Sequence, residues 1–338
     1  MSKYSFYPGC SMESSARAYL DSTLALQSSL DLQLDEVKDW NCCGATEYAA
    51  THLLPSYALV GRNLALAAQP SHGAPAAPTL VAGCSACYLN LAKTDYYMRQ
   101  SGDLAERVNT ALAAGGLHYQ PGAVKVRHLL DILINDIGLA QIKAKVTRPL
   151  KGWRVAAYYG CQVPRPDYDH RFQNAEYPMQ MEQLMKALGA TVIDFPLKTH
   201  CCGGHMTQIS EATSYELIRR LIQGADQYRA DLLVTLCPMC QLNLDAYQVE
   251  MNKFFKTSYH VPVIFFTQLI GLAFGIDPVQ LGFGREFISA SALLKDKLGV
   301  DVPVAEEAVA APPRPRRGQP EGLPMPRMPR SGQLGQEE

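Results

Sequence analysis

Ten cysteines carry the chemistry of this 338-residue chain, and they fall into two sets of five in the same order. Each set holds a lone cysteine, an adjacent pair followed by glycine, and a Cys-x-x-Cys. The first set is Cys10, Cys42-Cys43-Gly44 and Cys84/Cys87; the second is Cys161, Cys201-Cys202-Gly203-Gly204 and Cys237/Cys240. Both lone cysteines close apolar runs that contain tyrosine and glycine, Phe6-Tyr7-Pro8-Gly9-Cys10 and Tyr158-Tyr159-Gly160-Cys161. The opening Met1-Ser2-Lys3-Tyr4 provides no apolar export segment, so a cytoplasmic location is expected. In that compartment ten cysteines point to metal ligation or redox chemistry rather than structural disulfides.

The spacing says more. A Cys-x-x-Cys at the mouth of a strand lets two sulfurs converge on one side of a turn. Adjacent cysteines in extended chain point to opposite faces, so both reach one site only where the backbone turns. Gly44, Gly203 and Gly204 relax the steric limits on such a turn. Five thiolates per set is one more than a tetrahedral zinc ion or a Cys-ligated cubane takes. Two zinc sites, each using four of five cysteines, stay open on these residues alone.

The elements that must position the sulfurs repeat as well. Strands are expected at residues 4–7, 33–37, 79–82 and 125–127, then at 154–159, 190–195, 231–236 and 261–265. Helices are expected at 13–30, 49–68 (with Pro55 marking a boundary near its start), 88–98, 104–114 and 128–137. In the second half they fall at 178–188, 208–229, 241–255 and 267–274. The offsets Cys10 to Cys161, Cys42 to Cys201 and Cys84 to Cys237 are 151, 159 and 153. One duplication is implied, with loop insertions accounting for the differences. Alternating strands and helices predict an α/β fold of two pseudo-twofold-related repeats, with mostly parallel strands, flanking helices and metal sites at strand carboxyl ends. Cys10, Cys84, Cys161 and Cys237 each follow a strand directly. The expected units are residues 1–145, 146–302 and a tail of 303–338.

Composition excludes several functions. A net charge of −1, from 31 basic and 32 acidic residues, offers no field for nucleic acid or an anionic membrane. The longest apolar stretch, residues 261–276, is too short for a transmembrane segment and reads as a strand entering a buried helix. No Gly-x-Gly-x-x-Gly follows a strand, so flavin and nicotinamide are not expected in this chain. The usual ferredoxin run of four cysteines is missing too. The tail holds eight prolines, five arginines and no aromatic residue, and reads as disordered.

The pattern Cys-x31-Cys-Cys-Gly-x39-Cys-x-x-Cys, then Cys-x39-Cys-Cys-Gly-x33-Cys-x-x-Cys, resembles the duplicated cysteine-rich CCG repeat found in the B subunit of heterodisulfide reductase. The flanking Trp-Asn-Cys-Cys-Gly-Ala, Tyr-Tyr-Gly-Cys-Gln-Val-Pro-Arg-Pro and Cys-Pro-Met-Cys-Gln-Leu-Asn-Leu carry the likeness, which covers roughly residues 3–300. The resemblance implies two noncubane [4Fe-4S] clusters, each held by the five cysteines of one half. They would face each other across a disulfide or sulfane-sulfur substrate. Two-electron disulfide reduction, or thiol oxidation in reverse, follows as the expected activity. Two further subunits of such complexes follow as expected partners, the ferredoxin-like iron–sulfur C subunit and the flavin-containing A subunit. Any membrane association would be peripheral and through them. Related repeats also serve succinate dehydrogenase, fumarate reductase and glycolate or lactate oxidoreductase systems. In those the chain would be an electron-transfer or anchoring subunit that passes electrons to a quinone. The Arg/Pro-rich tail has no obvious place in a methanogen-type reductase and favours the setting of sulfur-oxidising organisms.

His205 departs from the family pattern, where a smaller residue is expected, and is the candidate proton donor to a leaving thiolate. His200, Lys198 and His170 are further candidates for that role or for holding a substrate anion. Arg165, Pro166, Asp167 and Asp169 form a loop that could cover the site. Tyr7, Tyr158 and Tyr159 read as strand core, and Arg219 and Arg220 as a solvated helix face.

Overall fold

A computed structural model describes residues 2–45, 48–69, 78–165, 168 and 174–302. The 303–338 tail and the loop residues His170, Pro166, Asp167 and Asp169 lie outside the described residues. Among the described residues eight strands form two sheets of four. The first sheet contains β1 (Ser2–Tyr7), β2 (Leu32–Glu36), β3 (Thr79–Ala82) and β4 (Lys125–His128) in the order β2-β1-β3-β4. The second contains β5 (Arg154–Tyr158), β6 (Thr191–Ile193), β7 (Leu232–Thr235) and β8 (Val263–Phe265) in the order β6-β5-β7-β8. Every pairing is parallel. Duplication, parallel strands and flanking helices all agree with the sequence.

Burial follows strand position. Edge strand β2 alternates, with Leu32 and Leu34 inward and Gln33 and Asp35 outward, whereas central β7 is buried throughout. Strands covered on both faces read as continuous apolar runs, and one-sided strands alternate. The stretch from Val263 forms β8 and then the helix Phe266–Ala273, in which every residue is buried. Pro55 falls in the first turn of the helix Leu53–Ala68, which a break at His52 separates from Tyr48–Thr51. The single helix expected at 241–255 is two helices, Pro238–Asp245 and Gln248–Phe255. The Gln248 side chain bonds the Leu244 carbonyl at 2.8 Å, the acceptor that an unbroken helix would satisfy through its backbone. Among the described residues no helix is long and apolar enough to cross a membrane.

The halves interlock through the helices Arg17–Ala25 and Phe266–Ala273. Tyr19 stacks on Phe265 with ring centroids 4.4 Å apart and meets Phe266 edge-on. Ser22 and Thr267 share a buried hydroxyl–hydroxyl bond of 2.7 Å, and Arg285 reaches Asp21 at 2.7 Å. A Cβ on Gly282 would stand 2.6 Å from the Ala18 Cα, so side-chain volume there would push the halves apart.

The segment before the final helix is clamped by buried carboxyls. Asp245 accepts the Phe287 and Ile288 N–H groups at 3.0 and 2.8 Å, and Glu286 accepts that of Gly284 at 2.8 Å. Burial pushes Asp245 up to about 6 and Glu286 up to about 7. A raised acid stabilises the fold fully below its unfolded pKa and loses that contribution as pH rises through its folded pKa. Stability is therefore expected to fall between about pH 4.5 and 7 on account of Glu286. Glu286→Gln should raise the melting temperature at pH 8 by roughly 2–5 °C and leave it unchanged at pH 4, as thermal melts at the two pH values would show.

Candidate functional site

In each sheet the strand order reverses between the two central strands, β1/β3 and β5/β7. Crevices beyond the carboxyl ends of strands at such a reversal are where open α/β folds bind ligands. The cysteines are delivered there. Cys10 follows β1 and Cys84 follows β3; Cys161 follows β5 and Cys237 follows β7. Cys84 and Cys237 also occupy the N-cap positions of the helices Ser85–Gln100 and Pro238–Asp245, so Cys87 and Cys240 sit in first turns, where bonds to Cys43 and Cys202 and then burial raise both thiols.

The sulfurs converge within each half. Cys10 and Cys42 are 3.5 Å apart, as are Cys43 and Cys87, and Cys202 lies 3.6 Å from Cys240. Cys161 and Cys201 line the same cavity. The two sets also approach each other across the halves, where the Tyr19 hydroxyl lies 2.9 Å from the Gly83 carbonyl and 3.5 Å from that of Leu236, the residues before Cys84 and Cys237. Among the described residues no group of three or more His, Cys, Asp and Glu side chains is placed to hold one metal ion; the thiols touch in pairs.

The turns that bring adjacent cysteines together use the expected glycines. Gly44, Gly203 and Gly204 have φ of 64°, 100° and 55°. Gly44 and Gly203 donate their N–H to Cys42 and Cys201 sulfur at 3.4 and 3.3 Å. Two further glycines matter for space. Gly9 and Gly160, at φ 74° and 67°, immediately precede the lone cysteines. A Cβ there would come within 2.8 Å of the Cys87 sulfur and 2.9 Å of the Cys240 sulfur.

Two pairs of supporting residues take roles beyond those expected from the sequence. Tyr7 and Tyr158 are fully buried strand residues, as expected, but each also donates its hydroxyl at 2.7 Å to the carbonyl before a cysteine pair, Asn41 and His200 respectively. Asn90 and Asn243 donate to the Cys43 and Cys202 carbonyls at 3.1 and 3.2 Å, and Asn243 also reaches the Gly204 carbonyl at 2.7 Å. The signal for the asparagines is a Cys-x-x-Cys-x-x-Asn present in both halves.

The thiols differ in acidity by position. Cys42 and Cys201 are lowered, foremost by hydrogen bonds from Cys10 and Cys161 and then from their neighbours Cys43 and Cys202. The same bonds raise Cys10 and Cys161, and Cys43 and Cys202 rise through their bonds to Cys42 and Cys201. Cys42 and Cys201 are also exposed. In metal-free protein iodoacetamide should label these two first. Their rate should change less than about twofold between pH 6 and 8, whereas an ordinary thiol gains close to tenfold per unit. Cys10, equally exposed but raised, should lag in peptide mapping.

A cavity of about 260 Å³ gathers all five second-half cysteines, with Ser85, Gln162, His205, Met206, Ile209 and Met239 among its other walls. His205 therefore stands at the sulfurs. His200 is exposed and faces a separate groove of about 300 Å³ on the outer side of Cys161 and Cys201, shared with Arg165 and Arg220. Lys198 is a correction. It is 1% exposed, with Nζ 2.6 Å from Glu182 and 3.6 Å from the centre of the Tyr177 ring. It cannot hold a substrate anion while committed to that buried carboxylate. Its carbonyl instead accepts the Tyr159 and Gly160 N–H groups, fixing the approach to Cys161. A larger cavity, about 750 Å³, is an open polar groove beside β4 that contains no cysteine.

Fold and thiols together define a duplicated cysteine-rich α/β protein that gathers five sulfurs at each of two strand-order reversals. The cysteine-rich CCG domain model matches residues 4–92 and 155–245, and the chain belongs to that family. It is 34% identical to the 8-methylmenaquinol:fumarate reductase membrane anchor subunit of Wolinella succinogenes, over 86% of this chain and 99% of that one. It is also a homologue of the heterodisulfide reductase B subunits. Identity is 27% to the B subunit of the ferredoxin:CoB-CoM heterodisulfide reductase of Methanosarcina mazei, over 85% of this chain and 94% of that one. An Archaeoglobus profundus protein described as like the heterodisulfide reductase B subunit is 28% identical, over 83% and 93%. A crystal structure of a hypothetical protein from Helicobacter pylori shares the fold, with a TM-score of 0.66 at 13% identity. The match covers 85% of this chain and 52% of that one, so this chain spans about half of that structure.

Proposed function

We propose that each half holds a noncubane [4Fe-4S] cluster on its five cysteines, and that the chain is the catalytic iron–sulfur subunit of a heterodisulfide-reductase-like complex. Its reaction would be two-electron reduction of a disulfide, or oxidation of thiols or sulfane sulfur in reverse. The observation that carries this reading is the convergence of a whole five-cysteine set on one cavity, with Ser85 of the other half's Cys-x-x-Cys in its wall. The donor set fits. Three of the five second-half thiols are buried, and neither Lys nor Arg lines their cavity among the described residues. Thiolates buried without a cation are costly, and a cationic iron–sulfide core offsets that charge.

When bound, such a core supplies one-electron steps and an iron open to a sulfur ligand. The chain's residues do the rest. Met206, Ile209 and Met239 give the cavity an apolar wall that limits water around the reacting sulfur. His205 on the same wall can give a proton to the departing thiolate. His205→Gln should keep full iron content and lower disulfide turnover roughly 10- to 100-fold in steady-state assays. Electrons would reach the chain from a ferredoxin-like subunit and a flavin-containing subunit.

A second reading, an electron-transfer or anchoring subunit that serves a quinone, is favoured by the 34% identity that runs through nearly all of the fumarate reductase anchor subunit. Anaerobic purification followed by metal and sulfide analysis tests the clusters, with about eight irons per chain expected. Zinc in place of iron would sink both readings. Paramagnetic signals that respond to thiol or disulfide favour the first; quinol-linked reduction with no thiol response favours the second.

A further inference from the structure

Ser85 belongs to the first-half Cys84-Ser85-Ala86-Cys87, yet it lines the second-half cavity among Cys161, Cys201, Cys202, Cys237 and Cys240. It gets there because the Gly83 and Leu236 carbonyls, one residue before Cys84 and Cys237, meet at the Tyr19 hydroxyl, at 2.9 and 3.5 Å. The side chain is 1% exposed, and its hydroxyl makes no hydrogen bond of ordinary geometry within the chain. An unused donor in a buried site is costly, so its presence calls for a partner. The position that mirrors Ser85 in the other half is Pro238, which has neither O–H nor N–H to give. A second asymmetry points the same way. Asn243 Nδ2 comes within 3.5 Å of Cys202 sulfur, in addition to its carbonyl bonds, whereas Asn90 donates to the Cys43 carbonyl.

We infer that Ser85 is a positioning residue that donates across the interface into the second site, making the two sites redox-inequivalent and the second the easier to reduce. The inference rests on the cluster reading above. Donors aimed at cluster sulfur stabilise the reduced, more negative state and so raise its potential. An electron entering the chain then comes to rest at the second site, beside the open cavity and His205.

The test is a redox titration of the full chain, anaerobically purified with its iron in place, reduced stepwise with dithionite and followed by paramagnetic resonance. Two midpoint potentials are expected in the wild type, with the higher retained in Cys42→Ser and so assigned to the second half. Ser85→Ala should lower that potential alone, by a three- to tenfold fall in the reduced-to-oxidised ratio at fixed poise. Tenfold is about 59 mV for a one-electron couple. Pro238→Ser, which places a hydroxyl at the mirrored position, should raise the lower potential. Should Ser85→Ala fail to load iron, Pro238→Ser decides. Iron-replete Ser85→Ala with both potentials unchanged, or Pro238→Ser without effect, overturns the inference and leaves the cluster reading intact. An iron-free wild type overturns the cluster reading and the inference with it.

Discussion

Cys201→Ser should halve the iron of the anaerobically purified chain, from about eight to about four per molecule, and abolish disulfide turnover to below about 1% of wild type. Serine keeps the size of cysteine and removes the soft thiolate that iron requires. Cys201 is exposed, and its main contacts are with Cys161 and the Gly203 N–H, so the fold should survive the change. The twin variant, Cys42→Ser, should lose the other half of the iron. Together the two variants separate the halves: each should leave a different paramagnetic signal, and iron analysis should be equal. Retention of all iron in either variant would exclude the five-cysteine ligand set, whatever happened to activity.

Gly160→Ala is the second large effect expected, and it acts through space rather than ligation. A single methyl at φ 67° faces the Cys240 sulfur at 2.9 Å. The left-handed backbone costs about 1–2 kcal/mol for alanine before any clash is counted, and the sulfur must then move out of its position in the set. Gly9→Ala repeats the experiment in the first half, at φ 74° and 2.8 Å from Cys87. Each variant should lose iron from its own half only, with a melting temperature lowered by several degrees. A control is Gly299→Ala, which has a comparable left-handed backbone at φ 66° and open space around the added carbon. It should lose stability and keep all its iron. Equal iron loss in the control would assign the effect to backbone strain instead of to the crowded sulfur.

Both predictions grow from residues that are legible along the chain, and their limits are instructive. The paired cysteine sets, the strands ahead of Cys10, Cys84, Cys161 and Cys237, and the turn glycines at Gly44, Gly203 and Gly204 are all readable. They depend on spacing within one repeat and on local backbone sterics. Gly9 and Gly160 are visible as flanking residues, but their crowding against Cys87 and Cys240 is not, because it joins positions nearly eighty residues apart. Lys198 misleads for the same reason. A lysine shortly before a cysteine pair in a loop looks available, and only the packing of the helix Gln180–Ala187 brings Glu182 onto it. Tyr7 and Tyr158 are readable as core and not as props for the cysteine turns, since a buried tyrosine's hydroxyl partner is chosen by the fold.

The amino-acid sequence by itself determined the duplication, the α/β class, the parallel sheets and the composition of each sulfur set. Those follow from periodicity, from the order of elements and from what thiols can ligate. Tertiary structure alone decided how the two sets relate. The meeting of the Gly83 and Leu236 carbonyls at the Tyr19 hydroxyl, the stack of Tyr19 on Phe265, and the crossing of Ser85 into the other half's cavity all arise where the repeats pack together. Nothing in the spacing of either repeat encodes the register between them. That register comes from the complementary shapes of two buried surfaces, with Gly282 against Ala18 and Ser22 against Thr267 among the contacts that set it.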